Sequence, residues 1–594
     1  MRKYWYYIIV FCGVLVLAGC GKEGDPVPEN PDPPVDVPDK PDEPDKPENP
    51  NALYNGIVLP DQWPPTRSYS SEIRSGMSPF YLVNKPEVVN ISTGRQLFVD
   101  NFLIESTSLK RVFYYPEYSS ANPILQPDKD WEKMGNKGAA FAAPFSDGVW
   151  YDEADSKYKM WYMAGGGTHA INGAGVTCYA ESVDGINWTK PVLSVVSGTN
   201  IVDKGSERDA SVVWLDKQES NASKRFKMFQ VAGGKGNWKY HYKTSADGKQ
   251  WRDNSTPSQA IADRSTVYKN PFRNVWVWSM RHNVRVNSSD PYTVRARDYY
   301  ENTDPATGNQ KAKADLKAFW FGPWRNEQKH PTYNNNDGSP GIYNLDATPY
   351  ESIMLGFFSV WQGPENDVCS QDNVIKRNQI MVGYSRDGYS WYREDMNPFM
   401  AVDDNRAAWN NGNLQSVVGA PLIVGDKLYF YLSGRRLDGT NEITSTGLAT
   451  LRRDGFASMK GTGELLTPKL RFTGEHFYVN TKVTGELRVE LLKADGTVIP
   501  GFAKVDCKPI TADGVKQKVE WKGNATLASL KGQVIKVRFY ITDGEIYSFW
   551  VSPNATGESQ GYTAGGGPGL NKSGLDINAV SYTHLRAHET GAYL

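Results

Sequence analysis

The stretch Ser182-Val-Asp184-Gly185-Ile-Asn-Trp188 returns as Ser245-Ala-Asp247-Gly248-Lys-Gln-Trp251 and again as Ser385-Arg-Asp387-Gly388-Tyr-Ser-Trp391. A degenerate copy, Arg453-Asp454-Gly455-Phe456, follows. The Asp-to-Asp intervals are 63, 140 and 67 residues, and the middle one is about twice the others, so one unit lacks its marker and the repeat counts five units. Val294-Arg-Ala-Arg-Asp298-Tyr299, a strand-like run that keeps an Asp without the Gly and Trp, is the expected place of the missing copy.

Two strand-like runs precede each marker: 148–152 and 157–163 in the first unit, 212–216 and 225–231 in the second, 420–424 and 427–432 in the fifth. Short alternating runs bounded by Asp-Gly or Gly-Gly turns predict a four-stranded antiparallel sheet per unit. Five such sheets around an axis make a five-bladed β-propeller, whose central funnel is a ready site for a ligand. The Asp and Gly of each marker are expected to form an outer turn and the Trp to wedge between blades, with no chemistry assigned to them. After about Lys460 the period stops. The runs 476–480, 486–492, 519–521 and 534–541, with turns such as Ala494-Asp-Gly496, predict a separate β-sandwich. The fold class is therefore all-β, divided as a signal peptide (1–20), a Pro/acidic linker (21–50), the propeller (51–460), the sandwich (461–555) and a disordered tail (556–594).

Composition agrees. A chain of 594 residues exceeds one compact core, and 18 Trp, 33 Tyr, 55 Gly and 36 Pro suit short strands joined by turns rather than a helical bundle or a polytopic membrane protein. Lys+Arg 66 against Asp+Glu 67 gives a net charge of −1, no footprint for nucleic acid or for an anionic lipid surface. Cys12, Cys178, Cys369 and Cys507 have neither the spacing of a disulfide framework nor that of a metal site, and no metal or cofactor is expected.

At the N-terminus Arg2 and Lys3 precede an apolar run ending in Leu17-Ala18-Gly19-Cys20, the pattern of a signal peptide. The tetrapeptide resembles the bacterial lipobox, which implies lipidation of Cys20 and a lipid-anchored place at the outer membrane or cell surface. Lys22-Glu23-Gly24-Asp25 resembles an acidic surface-export signal. Proline and charge from Asp25 to Pro50 predict an extended stalk of about 3 Å per residue. Val580–Leu594 resembles a translated sequencing-adapter read-through and is set aside.

The blade markers, together with Asn122-Pro-Ile-Leu-Gln-Pro-Asp-Lys-Asp-Trp-Glu132 and Arg208-Asp209-Ala210, resemble glycoside hydrolases of families 32 and 43 over about Asn90 to Val551. Asn-Pro-Ile-Leu before an acidic-Trp pair is also similar to the family 130 mannoside phosphorylases. The resemblance implies a carbohydrate substrate. In family 32 an Arg-Asp-Pro motif opens the second blade and its Asp holds sugar hydroxyls in the transition state. Arg208-Asp209 stands at that place with Ala210 for Pro, whereas the Trp-Met-Asn-Asp-Pro nucleophile motif and the Glu-Cys acid motif are absent.

Aligning the first strand of each unit places Asp209, Asp263 and Asp346 at equivalent inner ends, with Asp147 two residues beyond Phe145 in unit one and Asn413 and Gln415 in unit five. Glycosidic cleavage needs a protonated carboxyl for the leaving oxygen and an ionised one as nucleophile or base, and a concave site separates the two pKa values. These three aspartates are the candidate catalytic set, with Glu351 and Glu365 as alternative acids. Arg208, Arg264, Arg281 and His282 are candidate contacts to an acidic sugar, a phosphate or a neighbouring Asp, and Trp361 and Trp409 candidate platforms for a sugar face. The expected activity is that of a monomeric glycosidase. The alternatives are a non-catalytic glycan-binding protein and a phosphorylase of the family 130 type.

Overall fold

The computed structural model describes residues 49–578 except 70–78, 135–138, 170–174, 206, 235, 286–292, 314–316, 335–339 and 524–525. Cys20, most of the Pro-rich stretch and Val580–Leu594 lie outside the described residues. The protein is all-β. Among the described residues the α-helices are the short Phe80–Val83, Pro305–Lys311 and Asn366–Asp372.

Five antiparallel sheet units follow one another. Their inner strands are Ala140–Asp152, Arg208–Leu215, Thr266–Asn270, Gly341–Glu351 and Asn413–Val417, and each is followed by two or three further strands of its own unit. Each inner strand packs on the next, and that of unit five packs on that of unit one, so the units form a closed ring. Tryptophans join the units: Trp150 on the inner strand of unit one lies 4.8 Å from Trp214 on that of unit two, which lies 5.8 Å from Trp276 on the second strand of unit three, Val275–Arg285. Burying such large faces against one another supplies the main adhesion between units.

The outermost strand of unit five is Glu117–Tyr118, which comes from upstream of unit one and pairs with Thr450 and Ala449. Asn122 extends this closure: its Nδ2 donates to the Leu448 carbonyl and its Oδ1 accepts from the Leu448 N–H, both at 2.8 Å, and Leu125 bridges to Thr446. The Asn-Pro-Ile-Leu motif thus ties the ring shut.

Each marker is a turn. Asp184 Oδ1 accepts from the N–H groups of Ile186 and Asn187 at 2.8 Å, and Gly185 reverses the chain at φ +75°. Two marker tryptophans sit against the neighbouring unit, Trp188 edge-on to Tyr431 of unit five at 5.7 Å and Trp391 at 6.2 Å from Trp320 of unit three, and a hydrogen bond joins the same units. The marker glycine's carbonyl accepts from an aromatic of the preceding unit: Gly185 from the Tyr431 hydroxyl (2.8 Å), Gly248 from Trp161 Nε1 (2.6 Å) and Gly388 from the Tyr268 hydroxyl (3.2 Å). The unit-three copy is displaced. Val294–Tyr299 is strand interior, and the turn is built by Asp304, whose Oδ1 accepts from the Thr307 N–H at 2.7 Å and opens the helix Pro305–Lys311.

The C-terminal strands do not stand apart as a sheet of their own. The strands Ala457–Leu466, His476–Lys493, Gly514–Val519 and Ile535–Ser552 belong to a nine-stranded sheet that also takes in Val89–Asn90, Gln96–Leu97, Ser106–Thr107 and Lys110–Phe113. One core holds Phe98, Phe102 and Leu109 together with Phe477, Phe539 and Phe549, so residues 89–113 pack with this sheet, while Leu97 and Val99 reach a second core shared with units four and five.

Residues 556–578 were expected to be disordered and are not. Tyr562 and Thr563 pair with Glu351 and Tyr350; the Gly565 carbonyl accepts from the Tyr151 N–H and that of Gly566 from the Ile423 N–H, each at 2.9 Å. The segment straps units four, one and five at the far ends of their inner strands. A Cβ on Gly567 would lie 1.9 Å from the Ile423 carbonyl oxygen, so the glycine run that reads as flexible is what lets backbone meet backbone.

Candidate functional site

The near ends of the inner strands depart from regular pairing. Register shifts fall at Ala143/Gly148 in unit one, Arg208/Ser211 in unit two, Ile342/Asn344 in unit four and Gln415/Val417 in unit five. Phe145 (φ +44°), Arg264 (φ +52°) and Ser416 (φ +74°) hold left-handed backbone without being glycine. Bulges and strained residues gathered at one end of a ring re-aim side chains and mark a functional locus.

The three aspartates are not equivalent. Asp209 sits in the unit-two bulge, where Oδ1 accepts from the N–H groups of Ala210 (2.7 Å) and Arg264 (2.9 Å) and Oδ2 from Arg264 Nη2 (2.9 Å). Burial alone would raise its carboxyl, but the Arg264 charge and these N–H groups outweigh burial and hold it below the usual range. Asp263 pairs with Arg281 Nε at 2.6 Å, its side chain 31% exposed against 16% for Asp209. Asp346 lies deeper, at 8% exposure. Serines stand two residues beyond Asp209 and Asp263, at Ser211 and Ser265; Ser146 follows the strained Phe145 of unit one, and Ser416 is itself the strained residue of unit five. Asp346 occupies this serine tier in unit four.

Asp346 has only neutral hydrogen-bond partners. Asn344 Nδ2 donates to Oδ2 at 2.6 Å and to Ser416 Oγ at 3.1 Å, and Ser416 Oγ meets Ser146 Oγ at 3.1 Å. Burial pushes its carboxyl up to about 7, opposed by hydrogen bonds from Ser146, Ser416 and Asn344 and by the charge of Arg297. Arg297 is itself held by the Arg264 carbonyl at 2.8 Å and by Ser279. Of the expected acids, burial thus raises Asp346, while Arg264 and backbone N–H groups lower Asp209.

The other expected residues separate into those near this locus and those far from it. Arg208 is committed to Asp147 through Nη1 (3.0 Å) and Nη2 (2.6 Å), and to Thr177 Oγ1 (2.7 Å), and is 4% exposed. Arg264 clamps Asp209, and Arg281 clamps Asp263. His282 Nδ1 meets Asp298 Oδ1 at 2.8 Å. Trp361 is buried under Arg295, whose guanidinium lies 5.1 Å from the ring, and so backs a cation instead of offering a face to sugar. Trp409 packs on Gly434 and Gly447 and edge-on to Tyr118 at 5.9 Å, inside unit five. Glu351 is at the opposite end of the Asp346 strand, in a buried cluster with Arg95, Arg453 and Ser559, and is not a site residue.

An open cleft of about 560 Å³ lies against units four and five, lined among others by Tyr343, Lys376, Asn413, Gln415, Arg435 and Glu442. Tyr343 and Gln415 are each one residue from Asn344 and Ser416, the groups that surround Asp346. A separate apolar pocket of about 30 Å³ between Trp320, Phe358, Tyr389 and Trp391 has no carboxylate in its lining. Sequence reasoning missed Asn344, Ser146 and Ser416. The Ser that recurs near the start of four inner strands was a visible signal, but its meaning depends on bulges that periodicity does not show.

No protein-family model matches the chain, and no curated protein matches it. Among solved structures it is similar to an N-acetylgalactosamine deacetylase from F. plautii in complex with blood group B trisaccharide, at 11% identity over 56% of this chain and 97% of that one, with a TM-score of 0.36. It is similar to a member of the GH130 family of mannoside phosphorylases, described as containing glycoside hydrolases that target β-1,2 mannosidic linkages in Candida mannan (11% identity, 60% and 96% covered, TM-score 0.35). A fructofuranosidase from Schwanniomyces occidentalis complexed with fructosylnystose is similar at 10% identity, with 72% and 98% covered and a TM-score of 0.32. Likeness at this level carries no argument about chemistry, which rests on the residues above.

Proposed function

We propose that the five units are the blades of a five-bladed β-propeller and that the chain is a glycoside hydrolase acting at the bulged end of its ring. The observation that carries the reading is Asp346: a buried carboxyl with only neutral hydrogen-bond partners, raised to about 7, on the same ring of strands that carries Asp209, whose carboxyl is held low. Asp346 gives its proton to the leaving glycosidic oxygen as the bond to the anomeric carbon breaks. Asp263, the most exposed of the three, takes a proton from the water whose oxygen adds to that carbon. Asp209, fixed by two backbone N–H groups and Arg264, holds sugar hydroxyls.

The test is hydrolysis of a glycan panel by the wild-type protein and Asp346→Asn. Cleavage that survives this substitution undiminished removes Asp346 from the mechanism. A second reading, glycan binding without catalysis, is favoured by the arginines that answer both Asp209 and Asp263; binding of a glycan that is never cleaved would establish it. We also propose lipid anchoring through Cys20, tested by radiolabelled palmitate incorporation that Cys20→Ala must abolish.

A further inference from the structure

Tyr343 stands at the lip of the cleft, three residues before Asp346, and cations crowd it. The Arg295 guanidinium lies 4.7 Å from its ring and that of Arg264 lies 5.7 Å away. Burial would raise the phenol, but Arg264, Arg295, Lys376 and Arg435 together outweigh it and hold the phenol below its ordinary value.

Two of these four charges are answered. Arg264 has Asp209, and Arg435 has Glu442 at 2.8 Å, with its second arm on Gln415 Oε1 at 2.8 Å. Arg295 and Lys376 have no carboxylate partner among the described residues. Arg295 meets only the rings of Tyr343 and Trp361, and its Nη1 is buried without a hydrogen-bond partner. A half-buried guanidinium held on two aromatic faces, one of them the ring of Tyr343, which lines the cleft together with Lys376, is arranged for an anion.

We propose that this corner of the cleft binds the carboxylate of an acidic sugar, with Arg295 and Lys376 as its ligands, and so selects a uronate-bearing glycan for the funnel. The proposal rests on the glycosidase reading for the position of the cleaved bond, but the carboxylate site is testable without it.

The experiment measures binding of the full-length protein to galacturonate- and glucuronate-bearing oligosaccharides and to the same oligosaccharides after chemical reduction of their carboxyls to alcohols. The acidic forms are expected to bind about ten-fold or more tightly than the reduced ones, with a preference that falls as salt rises and is lost in Arg295→Gln/Lys376→Gln. The phenol titration of Tyr343, followed by ultraviolet difference absorbance and assigned with Tyr343→Phe, is expected to move to higher pH when the acidic oligosaccharide is bound. Equal affinity for acidic and reduced forms overturns the carboxylate site. So does a preference for inorganic phosphate over the uronates at equal concentration. If neutral glycans are bound equally and cleaved in an Asp346-dependent way, this proposal falls and the hydrolase reading stands. Tight, Arg295-dependent binding without cleavage has the reverse meaning.

Discussion

One strand, Gly341–Glu351, holds a buried carboxyl near its middle and another at its end. Asp346 and Glu351 are both nearly inaccessible, and burial pushes both carboxyls upward. What opposes burial differs. At Glu351 the guanidiniums of Arg453 and Arg95 lie 3.0 and 3.5 Å away, the Arg95 N–H donates to it at 3.1 Å and Ser559 Oγ at 2.6 Å, so the carboxylate is answered charge for charge. At Asp346 the hydrogen-bond partners are an amide and two hydroxyls, and the nearest named cation, Arg297, spends its N–H groups on backbone carbonyls and Ser279. A buried charge that is paired holds two sheets together; one left without a charged partner keeps a proton to give away.

The largest expected effect is at the unpaired end. Asp346→Asn is expected to lower glycan hydrolysis about 10²–10⁴-fold while the protein stays folded, as read by turnover and circular dichroism. Glu351→Ala is expected to do the opposite. It removes one carboxylate from a buried network, leaving Arg95 with Asp454 and Arg453 with Asp576, and costs about 3 kcal/mol in urea unfolding, with turnover per folded molecule kept. Should Glu351→Ala abolish turnover without loss of stability, the distinction between the two ends fails. Gly567→Ala, where the strap passes under Ile423, is expected to cost about 1–3 kcal/mol and to leave the bulged end unchanged, checked by thermal unfolding together with glycan affinity.

Titration sharpens the contrast. The Asp346 pKa is raised in the folded state to about 7, so the native protein binds more protons than the unfolded chain between about pH 4 and 7. That group's contribution to stability therefore falls as pH rises through this window, and Asp346→Asn is expected to unfold at higher denaturant than wild type at pH 8 but not at pH 4. Turnover is expected to decline above pH 7 as the acid loses its proton. An identical pH dependence of stability in the two proteins would show that Asp346 does not titrate there.

The repeat was legible because Asp184, Asp247 and Asp387 each need the same turn with a glycine three residues after the Ser that caps it. Its local chemistry was complete in seven residues. The unit-three turn escaped because Asp304 caps a helix there, a different solution to the same reversal. Of the site, Asp209, Asp263 and Asp346 were found as acids, but they were read as one tier. Bulges shift register by a residue, and a one-residue shift changes which face a side chain takes, so alignment on apolar positions alone merges two depths. Glu351 was misplaced for a related reason. Strand length puts it about 16 Å from Asp346, and nothing in the local pattern says which end of a strand faces the funnel. The strap at 559–576 was invisible because a glycine-rich run between polar residues carries no periodic signal, and its partners are spread over three units far away in sequence.

The strand Glu117–Tyr118 has its only ladder partners more than three hundred residues downstream, and Asn122 meets Leu448 across 326 positions. During synthesis units one to four can emerge and pair internally, while residues 117–125 wait as an unmatched edge until unit five exists to receive them. Assembly of the ring then ends in a single late step that joins its beginning to its end, and pulse-labelled hydrogen exchange is expected to show the amides of 117–125 and 444–450 gaining protection together, after those of units two and three. Until that step the edge is open to a wrong partner, and filling it from within the same chain is what withdraws it from neighbours.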